Sequence, residues 1–114
     1  MATRTGELLQ GTLGILILKA LLAAPTHGYG IARWIEQTTS DTLRIEEGSL
    51  YPALRRLEDR RLVASEWGTS DNNRRARYYR ITPEGRAHLR AEAVAWTRYA
   101  GAVTTVLRAA PALA

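Results

Sequence analysis

The sequence predicts a mainly helical fold of the α+β class, in which helices precede a short β-hairpin and one long helix follows it. Apolar residues recur with a helical period in four segments, whereas they alternate with polar residues between Val63 and Ile81. Turn-forming residues from Gly68 to Ala76 divide this alternating stretch in two. With 114 residues, the chain has room for one modest core. Together these observations predict three helices, a two-stranded hairpin and a long C-terminal helix.

The first two helices are predicted from their apolar residues. The segment from Glu7 to Ala23 carries such residues around most of its circumference, so we expect burial on more than one side. Pro25 to Gly28 is typical of a turn, and Gly30 to Gln37 follows as a second helix. One side of that helix consists of Ile31, Trp34 and Ile35. The short run from Leu43 to Ile45 is expected to form a strand.

The third helix and the hairpin follow directly. The helix is predicted from about Ser49 to Arg61, with Ser49 as its N-cap and Pro52 in the first turn, where a missing N–H is tolerated. Its buried stripe consists of Leu50, Leu54, Leu57 and Leu62. The hairpin strands are predicted over Val63–Trp67 and Arg77–Ile81.

The last helix is predicted to begin after Thr82 as its N-cap, with Pro83 in the first position, and to end near Ala109. Its apolar residues alternate spacings of four and three, which is typical of a helix packed lengthwise on another helix. These candidate dimerisation residues are Leu89, Ala93, Trp96, Ala100, Val103 and Leu107. We therefore expect a DNA-binding part in residues 1–81 and a dimerisation helix in residues 82–114, joined in one compact unit.

The distribution of charge points to nucleic acid. The net charge is +5, and 15 of the 16 basic residues are arginine, whose donor fork suits phosphate and guanine edges. Four arginines lie between Arg74 and Arg80 without an acidic residue among them. The outer face of the third helix and the hairpin supply the candidate DNA contacts Ser49, Tyr51, Pro52, Arg55, Arg56, Asn73, Arg74, Arg75 and Arg77. The alternative is that the helix arginines form a solvated face, paired with Glu58 and Asp59.

Several motifs resemble the PadR family of bacterial transcriptional regulators, and its shorter members in particular. These motifs, in chain order, are HGYGIARWI, EGSLYPALRRLEDRRLV, WG and RRARYYRITPEG. The resemblance implies a winged helix-turn-helix, a homodimer formed by the last helix with help from the first, and an inverted-repeat operator in double-stranded DNA. It places the recognition motif on Ser49–Pro52 and the wing on residues 72–77. Glu46 and Glu47 depart from the family pattern, and their repulsion of phosphate would hold the helix start farther from DNA.

Trp96 offers two interpretations. It lies between the small residues Ala93 and Ala100, and a dyad would bring a second indole close to it, so that a flat aromatic effector could bind between them. Leu9 and Leu13 of the first helix are the candidate neighbours in such an effector site. The alternative is that each indole only fills space against the first helix. The resemblance favours a ligand, since some short family members bind planar drugs or phenolic effectors at the dimer centre.

Other classes of function have little support. The chain lacks cysteine and a glycine-rich phosphate loop, so we expect no enzyme activity, cofactor or metal, with His27 as a capping or packing residue. The apolar run from Leu13 to Ala24 is too short to span a membrane, and the residues before it suit a signal peptide poorly. We expect a cytoplasmic repressor that a small effector releases from DNA. The rival hypotheses are a winged-helix module that binds an acidic protein and a DNA binder without sequence specificity.

Overall fold

The computed structural model describes residues 9–112. Within this range the elements follow in the order α1 (Leu13–Ala20), β1 (Thr26–His27), α2 (Gly28–Thr38), α3 (Glu47–Asp59), β2 (Val63–Thr69), β3 (Arg75–Ile81) and α4 (Pro83–Arg108). The three strands form one antiparallel sheet in the order β1-β3-β2. The predicted α+β class, the hairpin and the long C-terminal helix are confirmed.

The core lies where α1, α2 and α3 pack together against the base of the hairpin. Its most deeply buried side chains include Ile17, Leu18, Ile31 and Leu54, each with no exposed surface. The predicted stripe of α3 is confirmed, because its leucines and the nearby Leu62 are all buried. Trp34 differs from its predicted apolar neighbours Ile31 and Ile35, because it remains 42% exposed.

The first helix is shorter than predicted. Gln10 to Thr12 form a turn, in which the Thr12 N–H donates to the Leu9 carbonyl at 3.0 Å. Gly11 lies in this turn, where its low helix propensity favours the interruption. Residues 7 and 8 of the predicted helix lie outside the described range. At the other end Leu21 caps the helix, so Leu22 and Ala23 lie beyond it.

The predicted turn at Pro25–Gly28 is wrong in part, because two of its residues form β1. Thr26 pairs with Tyr79 and His27 with Tyr78, about 50 positions farther along the chain. His27 is also the N-cap of α2, where its Nδ1 accepts the Gly30 N–H at 3.0 Å. The helix therefore starts two residues earlier than predicted, and the capping role of His27 is confirmed.

No strand forms at Leu43–Ile45, contrary to expectation. The chain instead crosses from α2 to α3 through left-handed residues at Ser40 and Asp41. Glu36 supports this connection from its buried position, with Oε2 accepting the Ile45 N–H at 2.8 Å. Because the Glu36 carboxylate accepts this hydrogen bond, the Ile45 N–H is satisfied without pairing to a strand.

α3 begins at Glu47, two residues before the predicted N-cap Ser49. Glu46 has the extended backbone of an N-cap, although its side chain makes no capping hydrogen bond. Consequently Pro52 lies inside the helix, past its first turn. The hairpin strands are each two residues longer than predicted, which shortens the connecting turn to residues 70–74.

The start of α4 is confirmed as predicted. Thr82 is the N-cap and accepts the Gly85 N–H at 2.9 Å through its hydroxyl oxygen. The same hydroxyl donates to the Arg61 and Leu62 carbonyls, which joins the start of α4 to the turn between α3 and β2. Only Gly85 and Leu89 of α4 are buried, so most of this 26-residue helix extends away from the core.

Candidate nucleic-acid interface

The outer face of α3 carries the five residues that the sequence indicated. Ser49, Tyr51, Pro52, Arg55 and Arg56 are all exposed, while the opposite side of the helix is buried in the core. This division follows from the helical period, because the apolar positions recur every three to four residues. The result is a solvent-facing surface with two guanidinium groups and two hydroxyl groups.

Tyr51 has a second role that its exposure alone does not reveal. Its ring lies against Gly28, the first residue of α2, where an added methyl group would come within 2.7 Å of the hydroxyl oxygen. The side chain is therefore fixed between the two helices, with 45% of the residue exposed. A fixed aromatic ring on an outer helix face is suited to contacting another molecule at low entropic cost.

The two acidic residues at the start of α3 are exposed. Glu47 lies in the first turn, where a carboxylate interacts favourably with the positive end of the helix dipole.

Glu58 forms its ion pair with Arg77 of the hairpin rather than with an arginine of its own helix. Among the described residues, no ion pair joins the α3 arginines to Glu58 or Asp59, contrary to the alternative of a self-paired helix face.

The register of the hairpin determines which side chains face α3. Val63 pairs with Ile81 and Ser65 with Tyr79, and these pairs belong to the face that packs on the core. Because side chains alternate along a strand, Trp67, Arg75 and Arg77 continue the same face toward the tip. The exposed end of the hairpin thus carries Arg75 and Arg77 on the side of α3.

Arg77 is held by neighbouring side chains. Its Nε donates to the Ser65 hydroxyl at 2.8 Å, and its Nη2 lies 3.5 Å from Glu58 Oε2. Ser65 in turn donates to the same carboxylate oxygen. This network joins the hairpin to α3, so Arg77 differs from the freely exposed wing arginine that the sequence suggested.

Trp67 is the largest exposed side chain of the hairpin, with 55% of its surface accessible. The guanidinium carbon of Arg75 lies 4.8 Å from the centre of the indole, and that of Arg77 lies 5.6 Å from it. Both distances are within the range of cation–π attraction. Sequence reasoning missed this cluster, because the second strand was predicted to begin at Arg77 and Arg75 was placed in the loop, whereas β3 begins at Arg75.

The turn of the hairpin presents the remaining wing residues. Asn73 adopts a left-handed backbone conformation with φ of 58°, which asparagine tolerates better than most residues. The turn is closed by the Ser70 N–H, which donates to the Arg74 carbonyl at 2.8 Å. Asn73 and Arg74 are both exposed, so they lie at the outermost point of the hairpin.

Burial raises the pKa of Tyr79, which lies on the same hairpin face nearer the core. The nearby Arg77 opposes this shift, because a cation favours the phenolate, but desolvation is the larger effect. Tyr79 is therefore a neutral, buried residue close to Arg77 at ordinary pH.

The candidate dimerisation residues differ in their burial within the protomer. Leu89 is buried within the protomer, so its side chain is not available to a partner. Ala100 is half-buried, whereas Ala93, Trp96, Val103 and Leu107 are exposed. Beyond Leu89, α4 thus carries an apolar stripe that residues 9–112 of the protomer leave largely exposed.

The candidate effector residues are not equally accessible. Leu9 and Leu13 belong to the core and are 6% and 4% exposed, whereas Trp96 is 49% exposed. A groove of about 550 Å³ lies between α1 and α3, and Leu13, Pro52, Arg56 and Arg60 contribute to its walls. Trp96 lies outside this groove. Any effector site at Trp96 would therefore depend on the surface of α4.

Two further findings concern metals and membranes. Within residues 9–112, no group of three or more histidine, cysteine or acidic side chains is arranged to hold a metal ion. No helix in the described part of the chain is long and apolar enough to cross a membrane.

A three-helix core, an exposed α3 and a basic hairpin are the parts of a winged helix-turn-helix. Residues 17–91 match the transcriptional regulator PadR-like family. The chain belongs to the PadR-like family. It is accordingly a DNA-binding transcriptional regulator with a winged-helix fold, and the resemblance seen in the motifs is confirmed. The family consists of transcriptional regulators rather than enzymes.

Individual relatives agree with this assignment. An uncharacterised protein X of Lysinibacillus sphaericus is 31% identical over 83 residues, which cover 73% of this chain and 76% of that protein. A transcriptional regulator from Clostridium thermocellum has a similar structure, with a TM-score of 0.79, 29% identity, and coverage of 87% of this chain and 96% of that one. A PadR-family regulator from Eggerthella lenta gives a TM-score of 0.74 and 35% identity, with coverage of 91% and 88% respectively.

Proposed function

We propose that this PadR-family regulator is a homodimeric repressor that binds an inverted-repeat operator in double-stranded DNA. One observation carries the proposal: the outer face of α3 and the arginines of the hairpin are both exposed to solvent. The ion pair between Glu58 of α3 and Arg77 of the hairpin holds these two surfaces together. A helix can enter the major groove while an adjacent hairpin contacts the phosphates beside it.

The exposed residues divide by the chemistry they offer. Ser49 and Tyr51, in the first half of α3, and Arg55, one turn beyond Tyr51, are the candidates for contacts with base edges. Pro52 and Arg56 flank them on the same helix. The outermost wing residues Asn73, Arg74 and Arg75 are the candidates for phosphate contacts, which fix orientation without reading sequence.

The dimer is inferred from the exposure of α4. The radius of gyration is 16.4 Å, whereas a compact chain of this length has a value of about 13 Å. The excess reflects the long part of α4 that lies outside the core. A solvated helix of this kind is marginal alone, so a second copy packed along Trp96, Val103 and Leu107 would stabilise it. A twofold dimer would place two α3 helices about 34 Å apart, in successive major grooves.

The proposed effector site lies at Trp96 on α4. Trp96 stands between two alanines on the inferred dimer face, and two facing indoles would accept a flat aromatic molecule. Such a ligand would weaken DNA binding only if it prefers a dimer geometry in which the spacing of the two α3 helices no longer matches successive major grooves. A protein that retains only Trp96, with Trp34 and Trp67 changed to phenylalanine, would report binding of planar cations or phenolics by fluorescence. Unchanged emission across that panel would contradict an effector site at Trp96.

Mobility-shift assays over a series of salt concentrations test the DNA-binding proposal. With about six phosphate contacts, affinity should fall about a thousandfold between 50 and 200 mM salt. A selected operator should bind at least ~10³ times more tightly than random duplex. Comparable affinity for both duplexes would indicate a binder without sequence specificity. A lack of salt-dependent duplex binding would favour the protein-interaction alternative.

Two substitutions separate base contacts from phosphate contacts in the same assay. Tyr51→Phe removes the hydroxyl, which is the atom nearest Gly28, but keeps the ring carbons that also pack there, so loss of discrimination at unchanged thermal stability can be attributed to the hydroxyl. Arg75→Ala should weaken binding to operator and random duplex by similar factors, because it removes a phosphate contact. If both variants bind both duplexes as the wild type does, the assignment of these residues is wrong.

A further inference from the structure

Trp67 has no evident structural reason to remain so exposed. The core end of its hairpin face is filled by Val63, Tyr79 and Ile81, all buried, and the indole projects beyond them. It is nevertheless held in place, because Arg75 and Arg77 both lie over the ring. An exposed aromatic residue that is held rigidly and flanked by cations has the chemistry of a contact to a sugar–phosphate backbone.

The position of the indole relative to α3 is fixed by a chain of side-chain contacts. Glu58 of α3 accepts from Arg77 and Ser65, and Arg77 in turn lies 5.6 Å from the centre of the Trp67 ring. Arg77 therefore has its Nε and Nη2 engaged within the protein. No hydrogen bond or ion pair involves the side chain of Arg75 among the described residues, and its guanidinium lies over the same ring.

We propose that Trp67 is a DNA-contacting residue of the wing. Its indole packs on a deoxyribose and directs Arg75 to the neighbouring phosphate. Arg77 is a positioning residue that fixes the indole relative to α3. This inference rests on the proposed binding of duplex DNA. A guanidinium stacked on an aromatic ring keeps its N–H donors at the edge of the stack, where they can reach phosphate oxygens. The ring restricts Arg75 before binding, so less of its conformational freedom is lost in the complex.

A double-mutant cycle tests the coupling between the ring and Arg75. Trp67→Ala and Arg75→Ala should each weaken binding to operator and random duplex about tenfold and reduce the salt slope by about one ion. The double variant should bind about as tightly as Trp67→Ala, because that substitution already removes the ring that directs Arg75 to its phosphate. Trp67→Phe should retain most of the affinity, since it keeps an aromatic face. The proposal would be overturned if the losses of binding free energy in the two single variants add up in the double variant. It would also be overturned if Trp67→Phe weakens binding as much as Trp67→Ala does.

A change at Glu58 tests the positioning role of Arg77 by the sign of its effect. Glu58→Gln removes a negative charge close to the inferred DNA surface, so electrostatics alone predicts tighter binding. Loss of the Arg77 link predicts weaker binding instead, by about fivefold. The control is Asp59→Asn, which removes the same charge from the next, exposed position and should bind DNA at least as tightly as the wild type. Tighter binding by Glu58→Gln would overturn the positioning role.

These results remain distinguishable from failure of the proposed function. If the wild type shows no salt-dependent affinity for duplex DNA, the function itself is contradicted. If the wild type binds steeply with salt while Trp67→Ala binds equally well, only the role of Trp67 is contradicted. Circular dichroism of each variant checks that the hairpin and helices are retained.

Discussion

Gly85 lies where the start of α4 meets the turn between α3 and β2, and Gly85→Ala probes this junction. A methyl group at this position would lie 2.1 Å from the carbonyl oxygen of Leu62 and 2.8 Å from Cγ1 of Ile81. The Leu62 carbonyl oxygen belongs to the backbone, and it also accepts hydrogen bonds from the N–H and the hydroxyl of Thr82. Relief of the overlap therefore requires α4 to move by about 1 Å or more relative to the turn.

The expected cost follows from two opposing effects. Overpacking against a fixed backbone costs about 1–3 kcal/mol, and disturbance of the Thr82 cap costs about 1 kcal/mol more. Alanine recovers up to about 1 kcal/mol, because glycine is a poor helix former. The net loss should be about 2 kcal/mol, which corresponds to a fall in Tm of about 10 °C for a domain of this size.

Gly101→Ala is the matched control in the same helix. No atom lies within 4 Å of a methyl group added there, so the change should stabilise the protein by about 0.5–1 kcal/mol. Thermal and urea unfolding at one fixed protomer concentration measure both variants, because the stability of an oligomer depends on concentration. If Gly85→Ala is as stable as Gly101→Ala, the inferred close approach of α4 to the turn is refuted.

Three further predictions concern the supporting contacts. His27→Ala should cost about 1 kcal/mol through loss of the α2 cap, whereas His27→Asn, which can accept the Gly30 N–H, should retain most of the stability in urea unfolding. Glu36→Ala leaves the Ile45 N–H without its buried acceptor and should cost about 1–3 kcal/mol, so an unchanged unfolding midpoint would contradict its role. The pKa of Tyr79 is raised in the folded state from 10.0, so its contribution to stability is complete below pH 10 and is lost as the pH rises further. Tyr79→Phe should therefore show a smaller loss of stability between pH 9 and 11 than the wild type.

The elements that were predictable from sequence are those specified by neighbouring residues. The start of α4 follows from Thr82 as the cap and Pro83 as the first helical residue, and the structure has both in those roles. The hairpin follows from alternation between Val63 and Ile81 on either side of a turn-rich segment. The exposed face of α3 follows from the spacing of its leucines.

The elements that were not predictable depend on distant residues. β1 consists of two residues and exists because Thr26 and His27 pair with a strand about 50 positions away. Ser49 has the side chain of a good N-cap, yet α3 begins at Glu47, so local cap preference did not determine the first helical residue. Similarly, the engagement of Arg77 depends on Glu58, 19 positions away, and no local pattern indicates that pairing.

Sedimentation equilibrium of the full chain with a labelled, selected operator duplex tests most directly whether two protomers present their α3 and wing surfaces to one DNA. The account predicts a free protein of twice the protomer mass of 12.6 kDa at micromolar concentration, and one such dimer on each duplex. Trp96→Glu, which places a charge on the exposed stripe of α4, should shift the free protein toward single protomers and weaken operator binding. A wild-type protein that remains a single protomer, both alone and with the operator, would contradict the account.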